Sequence, residues 1–166
     1  MKLLKALKSR IKFFVIYFLI FCMVYGNCMP LLLADVSPGM IEGENVTYGS
    51  ASFNTTGNTT TITTGGPRTI IEYSKFNVDA GKIVDFIQPT IDSATLNRII
   101  QANPSMINGT LSSNGRIYII NPAGVMFGKG AQVNVNQLVA SGLNMSDIDF
   151  LQDRLFFQDG KGIVNN

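Results

Sequence analysis

Asp147, Asp149 and Asp153 form the one tight group of carboxylates near the C-terminal end of the chain. Such a group could exchange protons in acid–base catalysis or hold a cation. It also has a structural reading. Ser146 and Asp149 have the spacing of a capping box, and acids in a first helical turn complement the helix dipole. Gly128-Lys129-Gly130 could be offered as a phosphate loop, but it lacks the Walker spacing and the Lys-Ser/Thr ending. A turn carrying a solvated lysine accounts for it more simply. Asp85, Asp92 and Arg98 are the nearest approach to the carboxylate-plus-base site of a polysaccharide-active enzyme. The chain has no His, which removes His general bases, His-dependent triads and His-ligated metals. Both cysteines, Cys22 and Cys28, lie in the apolar N-terminal stretch. Its removal would leave no thiol for a disulfide, a nucleophile or a metal site. No catalytic residue, metal or cofactor is assigned.

Charge divides the chain. Residues 1–34 carry five basic residues and no acid, while the rest carry eight basic residues against 11 acidic ones. The net charge of +2 is thus a property of the leader and gives no case for nucleic-acid binding. A basic segment, the apolar core Phe13–Tyr25 and Leu32-Leu33-Ala34 read as a secretory signal peptide over residues 1–34. Cleavage is expected between Ala34 and Asp35, with Gly26/Asn27 as a second candidate site. An uncleaved leader would instead anchor a surface protein, since about 20 apolar residues span a bilayer.

The elements after Asp35 are short. Runs at Thr59–Thr63, Thr69–Tyr73, Lys82–Ile87, Arg116–Ile120 and Ala131–Asn136 read as strands between turn signals such as Ser113-Asn114-Gly115. The Thr-rich stretch 55–64 reads as a solvated edge strand or hairpin. Asp92–Ala102 and Ser146–Leu155 are each short enough to be a turn of helix or a strand. Strands at this spacing fit a sandwich, a barrel or a solenoid. Five Asn-x-Ser/Thr triplets, at Asn45, Asn54, Asn58, Asn108 and Asn144, match the glycan-acceptor pattern, a weak signal in so Thr- and Asn-rich a chain. Asn121-Pro122-Ala123-Gly124 predicts a tight corner, with Pro122 pre-setting φ and the Asn121 side chain bonding backbone two residues on. Asn108, beside Gly109, reads as an ordinary loop.

Residues 109–150 decide between the architectures. A strand runs into Asn121-Pro122-Ala123-Gly124-Val125, followed by Phe127-Gly128-Lys129-Gly130-Ala131-Gln132-Val133-Asn134-Val135 and then Leu138-Val139-Ala140-Ser141. Upstream stand Phe76-Asn77-Val78, Gly81, Val84, Phe86, Gln88-Pro89, Ala94 and Leu96-Asn97-Arg98. This closely resembles the N-terminal secretion domain of filamentous haemagglutinin-type exoproteins, the exported partners of two-partner secretion systems. The likeness runs from about Val46 to Phe157. Ala123 stands where the family motif usually has a second Asn. Asn103-Pro104-Ser105-Met106 is spelled like the family's Asn-Pro-Asn-Leu motif but lies too close to Asn121 to be equated with it.

The resemblance implies an all-β fold: a right-handed, single-stranded parallel β-helix over residues 35–166, with an N-terminal cap and an extra-helical hairpin. About five coils would fit, with Ile117, Ile119, Val133 and Val135 pointing inward. It implies a non-enzymatic export domain of an adhesin, delivered by the Sec machinery and recognised by the periplasmic domains of an outer-membrane β-barrel transporter. The corner Asn121–Val125 would be the recognition feature, and the product would be secreted or held at the surface of a Gram-negative cell. Any binding to a host surface or glycan would belong to a missing C-terminal region, because the chain stops on an uncapped strand-like run. The sequence thus reads as truncated.

Overall fold

Residues 41–158 and 164–165 are described by the structure, a computed structural model. The leader and the cleavage site at Ala34/Asp35 lie outside the described residues. Three short antiparallel strands come first in the chain: β1 (Ile41–Glu42), β2 (Asn45–Tyr48) and β3 (Ala51–Thr56). From β4 (Thr59–Thr64) onward the strands β5 (Arg68–Tyr73), β7 (Ile83–Ile87), β8 (Ala94–Ile99), β10 (Thr110–Ile120) and β12 (Gln132–Ser141) pair in parallel with the strand one coil away. The connecting strands are β6 (Lys75–Phe76), β9 (Ser105–Ile107), β11 (Val125–Phe127) and β13 (Val164–Asn165). The result is a parallel β-helix of about four turns.

Three stacked ladders form its walls. β4, β7 and the first half of β10 make one; β5, β8 and the second half of β10 make the next; β9, β11 and β13 make the third. β12 follows both halves of β10. Alternation puts one face of each strand inside. Thr60, Val84 and Leu111 stack in register, as do Ile62 and Phe86 beside them. On the second wall Ile71, Asn97, Ile119 and Ala140 stack. The apolar members of these columns and the Tyr73–Phe76–Phe86 aromatic group form one continuous core.

The fold has about four turns rather than the expected five, for two physical reasons. Residues before β3 are used to cover the first coil: β2 lies antiparallel on β5, and β1 on β6. That protects the sheet edge, which would otherwise present unpaired backbone groups. Residues 145–157 leave the coil and cover its outer face, where α1 (Asp147–Leu151) lies. The Thr-rich hairpin is present as β3–β4, but only β3 is the edge. Thr60, Ile62 and Thr64 of β4 are buried, and β4 pairs with β7. Asp92–Ala102 resolves to strand β8.

Ser113-Asn114-Gly115 is not a turn between strands. It lies inside β10, at the bend where the strand leaves β7 and joins β8. Gln88-Pro89 breaks the ladder on the coil before, and the Asn114 side chain replaces the lost rung. Its Oδ1 accepts from Gln88 N–H at 2.7 Å and its Nδ2 donates to Gln88 C=O at 2.7 Å. The buried Gln88 amide bonds Ser113 Oγ, Arg116 C=O and Thr95 Oγ1.

One buried polar contact carries a pH prediction. Tyr73 donates its hydroxyl to Asn97 Oδ1 at 3.1 Å, while Asn97 Nδ2 donates to Tyr118 C=O at 3.1 Å. Burial, and secondarily the Glu44 carboxylate, hold the Tyr73 phenol well above its ordinary pKa. A raised folded pKa leaves stability intact below the unfolded value of about 10 and removes it as pH rises toward the folded one. Tyr73→Phe should therefore cost about 1–2 kcal/mol at neutral pH by stranding Asn97 Oδ1. It should also flatten the loss of stability above about pH 10. Denaturant titrations across pH check both; equal alkaline slopes would refute the assignment.

Candidate functional site

The corner after β10 is built around Asn121, whose side chain is fully buried. Its C=O accepts from Gly124 N–H at 2.8 Å, which closes a four-residue turn with Pro122 at its second position. Its Oδ1 accepts from Ala123 N–H at 2.9 Å, as expected for an Asn that holds its own turn. Gly124 takes φ = 110°, a region hostile to side chains. Pro122 is exposed, Ala123 half-buried, and Val125 is in the core.

The other half of the Asn121 amide crosses to the preceding coil. Nδ2 donates to Asn103 C=O and to Ser105 Oγ, both at 3.0 Å. Ser105 N–H in turn donates to Gly124 C=O at 2.9 Å, and Ser105 pairs with Val125. The two Asn-Pro stretches are therefore stacked corners on successive coils. Spelling alone gives no sign of this, because it depends on coil length.

Phe127–Val135 carries the chain from β11 round to β12. Ala131 N–H donates to Gly128 C=O at 2.9 Å, so Gly128-Lys129-Gly130-Ala131 is a turn, and Lys129 is exposed on it. Phe127, Gly128, Lys129, Ala131, Val133 and Leu138 line a largely apolar hollow of about 650 Å³. Val133 is in register with buried Leu111, but it is 38% exposed. Its expected inward direction holds while its expected burial does not, since no described strand covers that side of β12. Val135 is half-buried against the core, whereas Ile117 and Ile119 are wholly inside.

Asn108 is not in an ordinary loop. Its N–H donates to Val78 C=O at 2.7 Å, and Gly128 of the next coil packs against its side chain so closely that a Cβ there would collide with it. Gly109 sits equally close to the turn of the coil before. A solenoid stacks corner on corner, and the glycines at 109 and 128 leave room for the coil before each of them.

The three aspartates are each neutralised. Asp147 meets Arg98 at 2.7 Å, Asp149 meets Arg154 at 2.8 Å, and Asp153 bridges Arg116 at 2.9 Å and Arg68 at 3.2 Å. Asp147 and Asp149 lie in the first turn of α1, capped by Ser146 Oγ accepting from Asp149 N–H. Asp153 lies beyond the other end of the helix, so a first-turn dipole role does not apply to it. Among the described residues no group of His, Cys, Asp or Glu has the arrangement of a metal site. Arg98 is held by Asp147 and by Met145 C=O, with Glu72 at 3.9 Å. Asp85 is on a different wall, and Asp92 offers its backbone C=O to Arg68 and Arg116. The structure does not assemble Asp85, Asp92 and Arg98 into a site.

The family model for the TPS secretion domain matches residues 40–166. A heme/hemopexin-binding protein of Haemophilus influenzae strain Rd is 39% identical over 100 residues, covering 60% of this chain and 11% of that protein. A second heme/hemopexin-binding protein from Haemophilus influenzae is 33% identical over 106 residues, covering 63% and 11%. The chain thus spans about a tenth of the length of these relatives. Among solved structures, the crystal structure of the HMW1 secretion domain from Haemophilus influenzae superposes with a TM-score of 0.71 at 34% identity, covering 75% of this chain and 35% of that one. A parallel β-helix with a covered first coil and a family match across the whole described region lead to one conclusion: the chain belongs to the TPS secretion domain family.

Proposed function

We propose that this domain is the export address of a longer exoprotein, recognised by a dedicated outer-membrane β-barrel transporter after Sec-dependent passage, and that it seeds β-helix folding outside the cell. The observation that carries this reading is the match of the TPS secretion domain family model to residues 40–166. β2 and β1 cover the first coil, and parallel strands stacked in register from a covered coil suit a seed for further coils. Among the described residues β12 pairs with β10 along one edge and with no strand along the other. The same edge suits recognition by strand addition, in which main-chain bonds give affinity and alternate side chains give selectivity. The corner Asn121–Val125 joins β10 to β11 and ties both to the preceding coil through Asn103 and Ser105.

Adhesion, a host glycan or a haem-carrying ligand would be matters for the rest of such an exoprotein. Filamentous haemagglutinin-type adhesins are one class of it, and the heme/hemopexin-binding relatives are another. The test is export of this chain joined to a passenger β-helix, in a Gram-negative host with and without a two-partner transporter. Medium-borne, folded passenger is expected only with both transporter and domain. Export without either would overturn the reading.

A further inference from the structure

Coils of a solenoid normally touch only their neighbours, so an isolated stack frays from its ends. Residues 145–157 break that rule. On the outward face of the second wall, Ile70, Leu96, Tyr118 and Val139 stand in register on four successive strands. This apolar column is covered by Met145 and Phe150, with Tyr118 and Phe150 edge to face at 5.3 Å. Each of the first three parallel strands of this wall gives one arginine to the covering segment. Arg98 of β8 takes Asp147, while Arg68 of β5 and Arg116 of β10 share Asp153. Ala94 lies between Arg68 and Arg116 in the ladder, and its small side chain leaves room for the shared carboxylate.

Asp153 is also in an unusual backbone state. Arg154 N–H donates to Asp149 C=O at 2.8 Å and Asp153 N–H to Phe150 C=O at 3.1 Å, the double bond pattern that ends a helix around a left-handed residue. Asp153 has φ = 58° and is the only described non-glycine residue with positive φ. Glycine is the residue this position favours on backbone grounds. An aspartate there accepts the strained conformation and places a carboxylate between two arginines on non-adjacent coils.

We propose that residues 145–157 are a clasp which, once laid down, ties the first three coils into one cooperative unit through Asp153. The clasp follows the strands it binds in sequence, so these coils acquire their full cohesion only after the chain has been made, or delivered, as far as Phe157. The inference rests on contacts within the domain and stands apart from the export reading.

Hydrogen exchange of the full chain tests it, comparing Asp153→Gly and Asp153→Asn with the parent. Asp153→Gly relieves the backbone and removes the carboxylate. As a clasp residue, it should speed exchange about tenfold in residues 145–157 and also in Thr69–Tyr73 of β5, the size expected from losing one charged hydrogen-bonded contact. Asp153→Asn tolerates the same φ and loses only the charge, so it should speed exchange in both segments by a smaller factor. If Asp153→Gly leaves exchange unchanged or slower, Asp153 merely ends a helix and the proposal falls. It falls equally if residues 145–157 loosen while β5 keeps its protection, or if Asp153→Asn matches the parent in both segments.

Discussion

Asn121→Ala should lower the thermal midpoint of the domain by roughly 10 °C and reduce the ratio of medium to periplasmic protein severalfold. The substitution removes three side-chain hydrogen bonds at a fully buried position. It strands Ala123 N–H and deprives Asn103 C=O and Ser105 Oγ of a donor. A stranded buried group costs about 1–3 kcal/mol, and partial relaxation of the corner keeps the sum near 3 kcal/mol. That is a large share of the roughly 5–15 kcal/mol that holds a domain folded. Asn121→Asp keeps an Oδ1 acceptor for Ala123 but loses both Nδ2 donations and buries a carboxylate against Asn103 C=O, so it should lose at least as much stability as Asn121→Ala. Asn54, exposed on β3 with a single weak contact to Thr56 at 3.4 Å, is the suitable control. Asn108 is unsuitable, because it packs under Gly128. Equal secretion of the Asn121 and Asn54 alanine variants would deny the corner any export role.

The parts of this fold that sequence makes legible are those set by local pattern. Alternation in Thr59–Thr63, Thr69–Tyr73 and Lys82–Ile87 marks strands, since period-two burial is visible in five residues. The cap at Ser146 and the turn at Asn121 are legible for the same reason: each bond closes within three residues. What is hidden is set by coil length. Nothing local to Asn103 or Asn121 says that they stack, and nothing local to Arg68, Arg98 and Arg116 says that one short segment collects all three. The Asn114 rung was equally hidden, because a turn-forming triplet reads alike whether the chain reverses or bends within a solenoid. Val133 shows the opposite failure. Its pattern gives the right direction, but burial depends on whether a further coil lies over it, and pattern carries no information about that. The family motif marks the global architecture, while register follows from coil lengths that no local pattern encodes.

Gly109→Ala should be the most damaging single methyl group added to the coil. A Cβ at Gly109 would run into the backbone C=O groups of both Asp79 and Lys82, inside van der Waals contact. Neither oxygen is free to retreat. Asp79 C=O accepts from Lys82 N–H at 2.9 Å, and Lys82 C=O accepts from Thr110 N–H at 2.9 Å, the bond that begins the β10–β7 ladder. Gly109 also passes the stack onward, its C=O accepting from Gln132 N–H at 2.9 Å. Relief would require the corner to move away from the preceding coil, pulling Leu111 out of register with Val84 and Val133 with it. Overpacking a tight site costs about 1–3 kcal/mol and more where the clash is with fixed backbone, so a loss of about 3 kcal/mol or greater is expected. Gly130→Ala is the matched control in the neighbouring corner, where the nearest heavy atom to a new Cβ is Asn108 O at an ordinary 3.5 Å. Urea unfolding followed by β-sheet circular dichroism should show Gly109→Ala with a sharply lower midpoint, or no cooperative transition, beside a near-parental Gly130→Ala. Similar midpoints for the two variants would mean that the corners are not closely stacked, and would remove the physical basis for reading Gly109 as a requirement of the coil.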